Sequence, residues 1–321
     1  MVFMSYKIFI PHKSISDYLS LLFMIIFSLI WTLNSAIGQT CSQNELDSLK
    51  LRSISAKIEI LDKIDIWNQI AKCFLNIDLD STAYYAEKAK FLSTEIGYKK
   101  GQVVSILQLS QIEETLGNYD DAIHMLERVL ELYEGLEKDS NYLGVLNLMG
   151  IIYEVQQDYD KALDYYMTGL REAEIQGYKL YIAYFSNNVS IIYNYTGFYD
   201  KELKYIKNAS ELFNELGHDN YYANSLLNMG LCYKSLKQLD TALLYFYKAE
   251  KLQNTNNNYY GLTNIYSILG DISLAKNQTD EALNNYQKSL VCATLLDSLD
   301  PDRENRISRA NLCIGDAFVK S

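Results

Sequence analysis

Proline is almost missing from this chain: of 321 residues only Pro11 and Pro301 are proline. Proline breaks helices and central strands, so the long stretch between the two leaves the backbone free to stay regular. No valine- and isoleucine-rich alternating runs occur there, and helix throughout is the expected state. Cysteine is sparse as well. Beyond Cys41 there are Cys73, Cys232, Cys292 and Cys313, with no C-x-x-C pair and no spacing of a disulfide framework or zinc site. Buried free thiols are the expectation, with Cys292 and Cys313 as the one pair to test. Positive charge is in deficit: the net charge is −11, which repels a phosphate backbone and excludes nucleic acid as a partner. Histidine is scarce, and His124 and His218 lie far apart without metal-ligand spacing. No glycine-rich phosphate loop, H-E-x-x-H or nucleophile elbow is present. The reading is therefore a protein that is not an enzyme, with no cofactor and no metal.

What is there begins with a targeting segment. Lys7, His12 and Lys13 precede an uncharged apolar run of fifteen residues, Leu19 to Leu33. Small residues at Ala36 and Gly38 follow, as a cleavage site requires. Residues 1–38 are read as a signal peptide and 39–57 as a lead-in, so the protein is expected in the periplasm or cell envelope. The run is short for a membrane span, which needs about 20 apolar residues; retention as an anchor through residues 19–37 is the alternative. Thr40 and Gly38 fit a lipidation box at Cys41 poorly.

The strongest signal is internal repetition. Asp80, Asp120, Asp160, Asp200, Asp240 and Asp280 recur every 40 residues without a slip. Each copy reads as two helices. In the third, Asn141 to Gln156 is the first, with Val145, Leu148, Met149 and Ile152 at helical spacing. Asp160 is expected to cap the second, which stops at Gly177. A small residue recurs in the first helix at Ser110, Gly150, Ser190, Gly230 and Gly270. A large one recurs in the second at Leu126, Tyr166, Ile206, Phe246 and Tyr286, followed three later by Val129, Gly169, Ala209, Ala249 and Ser289. Small set against large is how repeated helices interdigitate.

Met149-Gly150 with Tyr153, then Tyr159, Ala162, Tyr166 and Gly169, resembles the tetratricopeptide repeat signature. Met229-Gly230, Tyr233, Ala242, Phe246 and Ala249 match it again. The resemblance covers about residues 58–296, six copies, and implies an all-α, right-handed superhelical solenoid of antiparallel helical hairpins. Its period of 40 exceeds the family's 34, and the closing proline is absent. Residues 297–321 read as an irregular connector and one further helix. Ile314-Gly315 and Phe318 suggest a seventh copy that stops short, while Arg306, Arg309 and Lys320 suit the wet side of a capping helix; both readings stand.

In this family first helices line a concave groove, and the resemblance implies that a peptide or protein is held there. The 40-residue lattice places Asn147, Tyr184, Asn187, Asn188, Ile191, Asn194, Asn224, Leu227, Asn228, Leu231 and Lys234 along that surface. An asparagine amide pairs with peptide backbone as donor and acceptor, and asparagine in mid-helix calls for a reason. The expected function is an exported protein-interaction module for a peptide or protein ligand. The alternative is the sensory input region of a membrane signalling receptor, since Asp47-Ser48-Leu49-Lys50 and Ala86-Glu87-Lys88-Ala89 resemble N-terminal regions of bacterial sensor kinases and transcriptional regulators. A homo-oligomer built through exposed hairpin ends is compatible with both.

Overall fold

The computed structural model describes residues 41–55, 57–75, 77–296 and 302–319. The apolar run, the cleavage site, Asp297, Pro301 and Lys320 lie outside them. Every element among the described residues is helical. In chain order they are α1 Gln43–Ser53, α2 Ile60–Phe74, α3 Leu79–Glu95, α4 Lys99–Thr115, α5 Tyr119–Leu132, α6 Ser140–Val155 and α7 Tyr159–Gln176. They continue as α8 Lys179–Tyr195, α9 Tyr199–Glu215, α10 Asp219–Ser235, α11 Leu239–Thr255, α12 Tyr259–Ala275, α13 Thr279–Thr294 and α14 Arg303–Val319. Two compact units divide within α7, Met1–Tyr165 and Tyr166–Ser321. Each is an all-α stack of antiparallel hairpins of the solenoid class.

The 40-residue period is two equal halves of 20. Helices α3, α4 and α8 to α12 are each 17 residues long, about 25 Å at the usual rise. Three residues then turn the chain. A left-handed residue recurs in these turns at Gly97, Gly117, Gln157, Gly177, Gly197, Gly217, Lys237, Asn257 and Asn277, with Gly135 two places early. The bonds are those of a Schellman stop: at the end of α4, Asn118 N–H donates to the Glu113 carbonyl at 2.8 Å and Gly117 N–H to that of Glu114 at 2.9 Å. The six residues beyond the usual 34 therefore fall mostly in the helices.

The aspartate lattice marks helix starts one step differently from the expectation. Asp80 and Asp160 lie inside the first turn of α3 and α7, where their charge complements the helix dipole. The capping side chains sit two residues earlier: Asp78 accepts from Ser81 N–H at 3.1 Å and Asp158 from Lys161 N–H at 3.2 Å. The other second helices start without a side-chain cap at that place.

Packing follows the rows. Leu126, Tyr166, Ile206, Phe246 and Tyr286 are all buried, as are Val129, Ala209, Ala249 and Ser289. A Cβ added at Gly230 would lie 2.4 Å from Phe246 Cε1, one at Gly270 2.4 Å from Tyr286 Cε1, and one at Gly169 2.2 Å from Phe185 Cζ. These glycines leave room for an aromatic ring to lie flat on the crossing helix. Beside them tyrosines stack in pairs: Tyr153 on Tyr165 at 5.5 Å in the first unit, Tyr193 on Tyr205 at 5.6 Å and Tyr233 on Tyr245 at 5.3 Å in the second. Packing thus accounts for much of the tyrosine content.

Two expectations fail at the chain's ends. Cys73 is not a free thiol: it is bonded to Cys41, with Cα atoms 5.3 Å apart. Helix α1 lays Leu46 and Leu49 on Ile66 and Ile70, which brings the lead-in back onto the first hairpin and carries Cys41 with it. Arg306 is not on a wet side. Its guanidinium is buried 3.5 Å from the Tyr260 ring centre, and Nη1 donates to Asn264 Oδ1 at 2.8 Å. Gly315 on the same helix, by contrast, is open, with nothing within 4 Å of an added Cβ.

Candidate functional site

The groove residues lie on α6 in the first unit and on α8 and α10 in the second, and they separate into sealed and accessible groups. Asn187, Asn188, Leu227 and Tyr184 are buried. Asn187 Nδ2 reaches Asn188 Oδ1 at 3.5 Å, and the Asn187 side-chain oxygen has no hydrogen-bond donor among the described residues. Tyr184 is closed in by Phe213 at 5.5 Å and Tyr221 at 5.3 Å, and this burial pushes its hydroxyl pKa upward. The lattice places these four in three rows that are covered unevenly: Asn147 shares a row with Asn187 and Leu227, and Asn224 one with Tyr184, yet both are only half-buried. The four are interior residues and cannot meet a ligand as they stand.

The accessible group is Asn147, half-buried on α6, Ile191 and Asn194 on α8, and Asn224, Asn228, Leu231 and Lys234 on α10. Asn224, Asn228 and Leu231 are spaced i, i+4, i+7 and share one face of α10. Asn224 Oδ1 accepts from Gln253 Nε2 at 3.0 Å, which fixes the amide's orientation. Asn228 has no hydrogen-bond partner for its amide among the described residues. Lys234, one turn beyond, is exposed. The face therefore offers an uncommitted amide, an aliphatic side chain and one cation in line.

Asn194 proves to serve its own hairpin. Its Nδ2 lies 3.0 Å from both Glu202 carboxyl oxygens. Glu202 occupies the position that is alanine at Ala122, Ala162, Ala242 and Ala282, and it is buried beside Cys232. Desolvation pushes its carboxyl up to about 7, against the lowering effect of Asn194 and Cys232. Glu114, also buried, is pushed up to about 7 by desolvation alone. The signal for Glu202 was visible as a break in the alanine row; that for Glu114 was not, because acidic residues are common on helices.

Both carboxyls have folded-state pKa values above the ordinary one. They contribute stability that is complete below about pH 4.5 and is lost as pH rises through about 7. The protein is accordingly expected to be more stable at pH 5 than at pH 8. Glu202→Ala, restoring the residue of four of the other copies, is expected to gain about 1–3 kcal/mol at pH 8 and flatten that slope. Urea titrations of both proteins at the two pH values check this; a variant less stable than wild type at pH 8 would refute it.

Among the described residues no group of three or more His, Cys, Asp or Glu side chains could hold a metal ion, and no helix is long and apolar enough to cross a membrane. Against known proteins, residues 102–172 and 181–255 match the family model described as tetratricopeptide repeat. No curated protein matches the chain. Solved structures do. BtubC from P. vanneervenii is 15% identical, with a TM-score of 0.58 over 73% of this chain and 92% of its own. The signal-transduction ATPase with a tetratricopeptide repeat sensor from Pyrococcus horikoshii is 16% identical, at 0.55 over 92% of this chain and 42% of its own. NprR in complex with its cognate peptide NprX is 20% identical, at 0.53 over 92% and 88%. At these identities the likeness is one of fold.

Proposed function

Because residues 102–172 and 181–255 match the tetratricopeptide repeat model, we propose that this protein is a non-catalytic interaction module that holds an extended peptide segment of a partner on α8 and α10. The observation that carries the reading is the α10 face, where the half-buried Asn228 keeps its amide unbonded between Asn224 and Leu231. A mid-helix asparagine lowers helix propensity and, unpaired, returns nothing to the fold. Facing a peptide it can donate to one backbone carbonyl and accept from one N–H, whatever the peptide's side chains. Leu231 and Ile191 add apolar contact, and Lys234 favours an acidic residue or a chain end. NprR in complex with its cognate peptide is a precedent for a peptide on such a fold.

Export is part of the proposal. The basic lead-in, the apolar run and the small residues at Ala36 and Gly38 support it, and so does the Cys41–Cys73 bond, since disulfides persist in oxidising compartments. The test is affinity capture from an envelope extract with the wild-type protein beside Asn224→Ala/Asn228→Ala. Two lost hydrogen bonds at about 1 kcal/mol each should weaken a captured partner roughly thirtyfold, with circular dichroism unchanged. Equal capture by both proteins would remove these residues from the site.

A further inference from the structure

The first hairpin carries a surface that the repeat does not require. Trp67 on α2 and Tyr84, Lys88 and Phe91 on α3 line an open cleft of about 750 Å³. Tyr84 is 55% exposed and Phe91 68%. At the lattice position of Phe91 the next four copies have Glu131, Arg171, Glu211 and Lys251; at that of Tyr84 the next three have His124, Asp164 and Lys204. Each of these residues is exposed. The fifth and sixth copies also put an exposed apolar residue at one of these positions, Leu244 at 53% and Val291 at 57%, but only the first copy has aromatic rings at both, and rings on a solvated face answer to something other than packing. Helix α1 covers the neighbouring Ile66 and Ile70 and leaves the shelf open.

Three observations indicate what covers it. The shelf combines tryptophan and tyrosine with lysine: Lys63 and Lys88 stand 5.2 and 5.6 Å from the Trp67 ring centre, and Lys88 4.2 Å from that of Tyr84, while Asp80 and Glu87 border the same cleft. These are the side chains that settle at a membrane–water boundary, ring toward the acyl region and ammonium toward headgroups. Charge is distributed to match. Residues 41–100 hold nine acidic and nine basic residues, whereas residues 101–321 hold thirty acidic and eighteen basic. This end, with no net charge, approaches an anionic surface without net repulsion. Finally, the shelf is tied close to the apolar run. Cys73 holds Cys41, and the eight residues from Leu33 to Cys41 reach about 26–29 Å at most.

We propose that the Trp67–Tyr84–Phe91 shelf rests on a lipid bilayer in the form of the protein that keeps the Leu19–Leu33 run as an anchor, so that the first hairpin sits on the membrane. The proposal is independent of the peptide site on α8 and α10. The test uses the full chain carrying Trp31→Phe, which leaves Trp67 as its one tryptophan. It is reconstituted with vesicles of phosphatidylglycerol and phosphatidylethanolamine, with and without brominated acyl chains. Trp67 emission should shift to the blue and be quenched by the brominated lipid. In Tyr84→Glu/Phe91→Glu, whose positions are surface-exposed, the quenching should fall at least threefold while the protein stays with the vesicles and keeps its circular dichroism. Unquenched Trp67 in vesicle-bound protein would overturn the proposal. So would self-association in the absence of lipid that the double substitution abolishes, because a second copy would then be the occupant.

Discussion

Gly230→Leu is expected to destabilise the protein by about 3 kcal/mol, the upper end of what overpacking usually costs. Even a bare Cβ at Gly230 meets three carbons of the Phe246 ring at 3.0 Å or less. That ring is fully buried against Leu226, Leu262 and Ile265 and has nowhere to move in a close-packed interior. An isolated helical glycine normally costs about 1 kcal/mol relative to alanine, so the sign here is reversed by packing alone. Gly315→Leu is the matched control: nothing stands within 4 Å of its added Cβ, and it should be neutral or mildly stabilising. Urea midpoints of the two variants measure the difference. Equal midpoints would mean that the α10–α11 crossing is looser than its geometry implies.

Cys73→Ser carries the second large effect. The Cys41–Cys73 bond closes a loop over a sequence separation of 32, and loop-closure entropy assigns it about 3–4 kcal/mol. Helix α1 has eleven residues and buries little besides Leu46 and Leu49, too short to persist by itself. Without the bond α1 should separate from α2, and its amides should lose hydrogen-exchange protection before those of any other helix. Wild-type protein in reductant should behave as Cys73→Ser does, and the variant should be indifferent to reductant. A wild-type melting profile untouched by reductant, with all five cysteines open to alkylation, would show that the bond does not form.

These two residues also mark how far the sequence could be read. Gly230 and Phe246 were legible as partners because the same small and large types recur 40 residues apart in neighbouring copies, and only a shared crossing explains both rows. Cys41 and Cys73 were not, since nothing in their spacing says that α1 folds back; the contact is made by Leu46 and Leu49, a pair that any amphipathic helix can carry. The asparagines fall between. Periodicity put Asn187, Asn188, Asn224 and Asn228 on first helices correctly, but the depth to which the next hairpin covers each row is not encoded in the row. Asn187 lies under that cover and Asn228 at its edge. The capping aspartates differ by two residues for a related reason. Acidic residues favour the whole first turn, so composition alone does not distinguish Asp158, which caps, from Asp160, which sits inside the helix.

The equal helices α8 to α12, joined by three-residue turns, have a consequence during synthesis. A second helix can close on the first helix behind it or on the one ahead, with the same span and the same left-handed turn residue. Mispaired hairpins are therefore nearly isogeometric with native ones, a kinetic trap typical of repeats. Only side-chain fit breaks the tie. It does so decisively where a ring lies on glycine, at Phe246 on Gly230 and Tyr286 on Gly270, and weakly in the first copy, where Ile70 and Ala86 stand at the small and large positions. Nucleation is then expected in α10–α13, with pairing spreading outward and the first hairpin settling late, an order that pulsed hydrogen exchange would read. The late hairpin is the one to which a covalent bond pins the lead-in.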